Sequence, residues 1–281
     1  MKQVKWHLFQ GGYCTHPGKI VNPKSNWKKR VFPALFFLIV HPEQGPILID
    51  TGYSKYFFKE TKRFPFSLFH LLTPVTFEQE EEAVQQIKKV GISPEDVKWI
   101  VLTHLHADHI AGVKDFPNAT FICSQKELNA VHGKGDWKSL RRGFIPNLLP
   151  SDFGQRVKVI EELSQQNISA KFSMFNTAYD LFGDNSLIAV DLPGHAQGQI
   201  GLFFQDEQGK TIFLASDSCW VKEAYEEIVL PHPLSNLITE QPKEYRESLV
   251  KVHNLAKEHP DIRIIPSHCL DTWEEYKKMG R

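Results

Sequence analysis

The sequence predicts an α/β chain of α+β character, with layered, mixed β-sheets whose outer faces are covered by helices. Three observations predict it. Several segments are near-continuous apolar runs of strand length, helical segments alternate with them, and hairpin turns are mixed in.

The run "FPALFFLIVHPEQGPILIDTG" reads as two apolar strands joined by a Pro/Gly turn at 42–46, with Asp50 where the second strand ends. "TFEQEEEAVQQIKKVG" reads as a helix. Thr76 and Gln79 form a T-x-x-Q cap, Ala83, Val84, Ile87 and Val90 share one face, and Gly91 ends it. Ser93-Pro94 begins a short turn before the buried strand "VKWIVLT". "NATFICS" is the next strand, and a helix follows from Ser124 with a capping box closing at Glu127. "SLIAVDLPGHAQGQIGLFFQDEQGKTIFLASDS" reads as strands separated by a loop at 193–197 and a turn at 205–209. "PKEYRESLVKVHNLAKEHP" is a helix with Tyr245, Leu249, Val252 and Ala256 on one face, and "DIRIIPSHC" is the closing strand.

No repeat, low-complexity tract or Gly/Ser linker interrupts the chain, so one domain over 1–281 is expected. Two stretches, 53–72 and 132–179, are long for connections and read as lid-like insertions. The first is dense in aromatics, including Tyr53, Phe57, Phe64, Phe66 and Phe69. Two roles stand open for it: a satellite core or dimer contact, or a hydrophobic wall for a substrate.

Bulk properties narrow the function. The 281 residues carry 33 basic and 33 acidic side chains, which gives no electrostatic footprint for nucleic acid or an anionic membrane. The N-terminus lacks the apolar core of a secretory signal. The longest apolar run, "VFPALFFLIV", is about half of the roughly 20 residues that a membrane span needs. Cys14, Cys123, Cys219 and Cys269 are scattered without a CxxC, as in a cytoplasmic protein with reduced thiols. A small molecule is the expected partner, and a homodimer fits the aromatic stretch.

Chemistry concentrates at "VLTHLHADHIAG", where His104, His106, Asp108 and His109 fall within six positions. With 13 histidines in the chain and as many aspartates, chance would produce this pattern about 0.001 times. Neutral imidazole and carboxylate are the donors that zinc and similar divalent ions accept. A tight turn can aim the first two histidines to one side and Asp108 and His109 elsewhere, so two adjacent metal positions are geometrically natural. Further donors should then lie at strand ends downstream. His195 in "DLPGHAQGQ", Asp217 in "FLASDSCW" and His268 in "IIPSHCL" each sit just past an apolar run.

The ordered set "LIDTG", "HLHADH", "PGHAQGQ", "ASDS" and "PSHC" resembles the metallo-β-lactamase-fold hydrolases over nearly the whole chain. The resemblance implies an αβ/βα sandwich, two mixed β-sheets flanked by helices, with two metals at one edge. One ion would bind His104, His106 and His195, the other Asp108, His109 and His268, and Asp217 would bridge them. Zinc is the expected ion, with Mn, Co or Fe able to replace it. A hydroxide between the metals would attack an ester or lactone carbonyl, with Asp108 moving a proton. Asp50 is either a partner that orients a ligand from outside the coordination sphere or an ordinary strand-end turn former.

Within that family, Asp217 stands where a class B β-lactamase has cysteine, and His106 where the flavodiiron proteins have glutamate. The N-acyl homoserine lactonases look closest, except that Trp220 replaces the tyrosine they carry three residues after the bridging aspartate. Trp220, Phe64 and Phe69 are the expected substrate-pocket residues. Phosphotriester or thioester hydrolysis on the same fold is the alternative activity, and a mononuclear iron oxygenase is the more remote one.

Overall fold

A computed structural model describes residues 1–163 and 173–279. Part of the expected insertion 132–179 therefore lies outside the described residues, at 164–172. The strand β2 (Lys29–His41) shows why the fold is layered. Ala34, Phe36 and Leu38 belong to one buried cluster, while Leu35, Phe37 and Ile39 belong to another. Side chains alternate along a strand, so a strand apolar on both faces has to be covered on both.

β1 (Lys5–Pro17) pairs antiparallel with β2, and β3 (Gly45–Ile49) pairs antiparallel on its other side. Pro46 already pairs with Val40, so the hairpin turn is shorter than its sequence suggests. Among the described residues one sheet has seven strands, in the order β4 (Val75–Thr76), β1, β2, β3, β5 (Trp99–Val101), β6 (Thr120–Cys123), β7 (Val157–Val159). The strands from β3 onward are parallel. The other sheet has five, in the order β12 (Arg263–Pro266), β11 (Thr211–Ser216), β10 (Ile200–Gln205), β9 (Ile188–Asp191), β8 (Ala178–Asp180). Only the β11–β12 pairing in it is parallel.

The inner faces meet in a core that includes Trp6, Leu8, Phe37 and Ile49 from the first sheet and Leu202, Phe204 and Leu214 from the second. The first sheet's outer cluster takes in Ala83, Val84 and Ile87 of the helix Ala83–Lys89. The second sheet's outer cluster takes in Leu249, Val252 and Leu255 of the helix Pro242–Glu258. These layers form the expected αβ/βα sandwich. Among the described residues no helix is long and apolar enough to cross a membrane.

Three local expectations are corrected. Thr76 does not cap a helix, because it pairs with Tyr13 at the edge of the first sheet. The cap is a Glu78/Glu81 box on a single 3-10 turn, and the helix proper starts at Ala83. Val90, assigned to its buried face, is exposed at the C-cap. Ser124 caps the helix Gln125–Val131 as expected, accepting from the Lys126 N–H at 3.1 Å. Glu127 does not close a box there; its carboxylate turns inward.

The aromatic stretch divides. Tyr53, Phe57 and Phe66 are buried, and Phe69 packs edge-on against Phe57 at 5.5 Å. Phe64 stands at the surface, 62% exposed, edge-on to Trp137. Most of the stretch's rings therefore belong to the core or pack against it.

Candidate metal centre

Strand direction delivers the site. β3 and β5 end at one edge of their sheet, and β9, β11 and β12 run in a common direction in theirs. Asp50 follows β3, His104 lies just past β5, His195 past β9, Asp217 directly after β11 and His268 past β12. Cross-links hold the two edges together: Ile200 N–H donates to the Thr103 carbonyl and Leu35 N–H to the Ser267 carbonyl, each at 3.0 Å. Asp50 and Ser216 turn out of their strands with φ of 59° and 50°. Such left-handed backbone in non-glycine residues costs about 1–3 kcal/mol and tends to sit at functional sites.

The histidine motif closes in a single turn. His106 precedes the short helix Ala107–Ile110, which swings Asp108 and His109 round from His104 and His106. Thr51 fixes that turn, its N–H and hydroxyl both donating to the His109 carbonyl.

All seven expected donors converge. Ligand atoms of His104, His106 and His195 lie within 4.8 Å of one another, as do those of Asp108, His109 and His268, and of His104, His109 and Asp217. Asp217 Oδ2 is 3.2 Å from His195 Nε2 and 3.1 Å from His268 Nε2, and its Oδ1 is 3.4 Å from His109 Nε2. Among the buried polar atoms without a hydrogen-bond partner, Nε2 of His104 and His109 and Oδ1 of Asp217 belong to this set, while His106 Nδ1 and His195 Nε2 meet at 2.9 Å, two ring nitrogens turned to one point. Buried polar atoms are normally satisfied, so this cluster of orphans fits a set of metal donors.

Electrostatics tie the same residues to one another. Burial, reinforced by neighbouring imidazoles, holds His104 and His106 well below the usual histidine range, in the neutral form that donates to metals. Burial works against the Asp217 carboxylate, yet the rings of His268, His109 and His195 hold its pKa well below the usual range. Burial likewise opposes charge on His109, but Asp50 and Asp217 raise its pKa well above normal.

Asp50 makes contacts of both kinds that stood open for it. It ends the strand, accepting from the Thr103 N–H at 2.9 Å and the Thr103 hydroxyl at 2.7 Å. It also accepts from His109 Nδ1–H at 2.7 Å, which leaves Nε2 facing the cluster.

Trp220 is buried with its indole N–H donating to Asp217 Oδ2 at 3.1 Å, and its ring lies edge-on to His195. An indole has one donor, and here it is spent on Asp217. Phe64 and Phe69 make their ring contacts with Trp137 and Phe57 instead.

Two contributors were not expected. Glu127 is fully buried beneath the site. One carboxylate oxygen accepts the Leu105 N–H at 3.1 Å, between His104 and His106, and the other accepts the Gly198 N–H at 3.0 Å, in the loop carrying His195. Burial pushes its pKa up to about 7. Its position in the sequence fits a helix cap, which conceals the inward role. Gly143 is the second. A Cβ there would meet the His106 ring at 3.0 Å, while its carbonyl accepts the Ala107 N–H at 3.0 Å. No local pattern in the sequence marks that approach.

The sequence model of the metallo-beta-lactamase superfamily matches residues 30–268. The chain belongs to this superfamily. Among curated superfamily proteins it is similar to the N-acyl homoserine lactonase AttM of Agrobacterium fabrum, 28% identical over 99% of this chain and 98% of that one. It is also similar to the N-acyl homoserine lactonase AiiA of Bacillus thuringiensis subsp. kurstaki, 27% identical over 82% of this chain and 81% of that one. Among solved structures, an N-acyl homoserine lactone hydrolase with N-hexanoyl-L-homoserine bound at its catalytic metal centre superposes with a TM-score of 0.75. The two are 22% identical, over 98% of this chain and 97% of that one. The dizinc quorum-quenching lactonase AidC superposes with a TM-score of 0.62 at 17% identity, over 96% of this chain and 90% of that one.

Proposed function

We propose that this superfamily member is a one-domain, metal-dependent hydrolase of ester bonds, with lactones and aryl esters as its substrate class and acyl homoserine lactones as first candidates. One observation carries the reading: two three-residue donor groups meet, with Asp217 within 3.4 Å of rings from both. In this assignment His104, His106 and His195 would hold one divalent cation and Asp108, His109 and His268 a second, with Asp217 between the two groups. The donors suit zinc, with Mn, Co or Fe able to replace it. Such a pair would supply Lewis acidity and a water acidified towards neutral pH.

The chain's own residues do the positioning. Asp217 stays anionic among three imidazoles, and Trp220 holds one of its oxygens. Asp50 orients His109. Asp108, the one donor of the seven that is not fully buried, faces His268 at 3.5 Å and is placed to take up or return a proton at the leaving oxygen. The lactonase names of AttM and AiiA support the substrate class. Four buried free thiols support a cytoplasmic setting, and exposed Phe64, Leu71 and Leu72 offer a surface for a homodimer.

The test pairs metal analysis with a substrate panel. Purified protein should hold close to two divalent ions per chain and hydrolyse acyl lactones or aryl esters, with poor β-lactam turnover. One tightly held iron after zinc supplementation, or turnover confined to phosphotriesters or thioesters, would overturn the assignment.

A further inference from the structure

Beside the histidine cluster lies a cavity of about 330 Å³ whose walls include Lys134, Lys138, Arg141 and Arg142 against a single carboxylate, Glu240. In a chain with 33 residues of each sign, this is a local excess of positive charge. Arg142 is paired with Glu240. Lys134, Lys138 and Arg141 have no carboxylate partner among the described residues. Lys138 and Arg141 share a face of the helix Asp136–Arg141, three residues apart, where like charges repel. The helix dipole favours Arg141 in the last turn but not Lys134 before the first.

The cavity is lined by chain segments that run on into the metal centre. Arg142 directly precedes Gly143, the residue that abuts the His106 ring. Gln197 lines the cavity two residues after His195, and the Glu240 N–H donates to the His195 carbonyl at 3.2 Å. The Arg142–Glu240 side of the cavity therefore abuts the segments that carry His106 and His195, two of the donors assigned to the first metal.

We infer that this cavity is a subsite for an anionic substituent of the substrate, a carboxylate carried at a distance from the scissile ester. This rests on the hydrolase reading and moves its substrate from neutral acyl lactones to esters that also carry a carboxylate. Several exposed ion pairs acting together are worth about tenfold in affinity and weaken with salt.

Two measurements on the metal-loaded protein test it. The first is calorimetric titration with glutarate at low ionic strength. Saturable binding is expected in the wild type and loss of about tenfold in the double variant Lys138→Glu/Arg141→Glu at unchanged metal content. Absent binding, or equal binding in the variant, overturns the subsite. The second compares kcat/KM for the p-nitrophenyl monoester of glutarate with that for p-nitrophenyl pentanoate. The anionic ester should lead by about tenfold, and the double variant should remove the lead while leaving the neutral ester within about twofold. Equal rates for the two esters overturn the substrate assignment. If neither ester reacts while glutarate still binds, the hydrolase reading falls instead and the anion site stands.

Discussion

Replacing Glu127 by Gln should expose a polar group that the fold keeps at a cost. Each of its carboxylate oxygens takes one backbone N–H, from Leu105 at 3.1 Å and from Gly198 at 3.0 Å. Glutamine offers one acceptor and one NH2, so one buried N–H would face a donor and lose its partner, at about 1–3 kcal/mol. Against that, glutamine carries no charge to bury. Burial raises the Glu127 pKa from 4.5 to about 7. Folding therefore favours the protonated acid, and the associated stability is fully present below about pH 4.5 and lost as pH rises through 7. The shift corresponds to about 3 kcal/mol. Urea unfolding of both proteins after chelator treatment, from pH 5 to 8, keeps metal release out of the comparison. The stability of wild type relative to Glu127→Gln should fall across that range. Zinc affinity at pH 7.5, read by competition with a chelator, should drop about 10–100-fold as the two ligand loops lose their tie. A stability difference flat with pH, together with unchanged zinc affinity, would refute the reasoning.

Asp217→Ala should abolish activity and release metal, whereas Asp50→Ala should weaken metal affinity or activity by about 10–100-fold; negligible effects from both would sink the assigned roles. Trp220→Phe should lower metal affinity by about tenfold, since its ring has no donor to replace the indole N–H on Asp217, whereas Trp220→Tyr keeps a hydroxyl donor. A rise in lactonase rate specific to Trp220→Tyr would mean instead that position 220 faces the substrate carbonyl. Gly198→Ala places a Cβ 2.3 Å from the Glu127 nitrogen and should destabilise the protein by at least about 3 kcal/mol, measured by thermal unfolding.

The convergence of the seven candidate donors was legible because each follows an apolar strand, and strands ending on one edge bring distant residues together. The layers were legible for a related reason: a strand such as β2, apolar at every position from Phe32 to Ile39, admits no solvent-facing side. What escaped were groups whose local pattern has a simpler explanation. Glu127 sits three residues after a helix-capping serine, so its spacing reads as a capping box while tertiary packing draws it inward. Thr76 lies in a good cap pattern, yet an edge strand recruits it. The aromatic stretch shows the same limit, because composition cannot say which rings face the core. Phe57 and Phe64 differ little in sequence setting and lie 0% and 62% exposed.

The candidate centre depends on the fold chiefly through ring nitrogens that point away from it. His109 gives Nδ1–H to Asp50, His268 gives Nδ1–H to the Pro33 carbonyl at 2.8 Å, and the Thr103 hydroxyl lies 3.2 Å from His104 Nδ1. Each contact selects the tautomer whose Nε2 lone pair faces the cluster. Their partners come from separate strands: Asp50 from the end of β3, Pro33 from within β2, Thr103 from just beyond β5. The donors His195 and Asp217 come from the opposite sheet. Register between the sheets therefore sets the spacing of the donors, and the buried face of β2 that drives the sandwich together also aims His268. A cavity cut into the inter-sheet core, far from any ligand, should loosen metal binding together with stability. A change on the outer helix faces should cost stability alone.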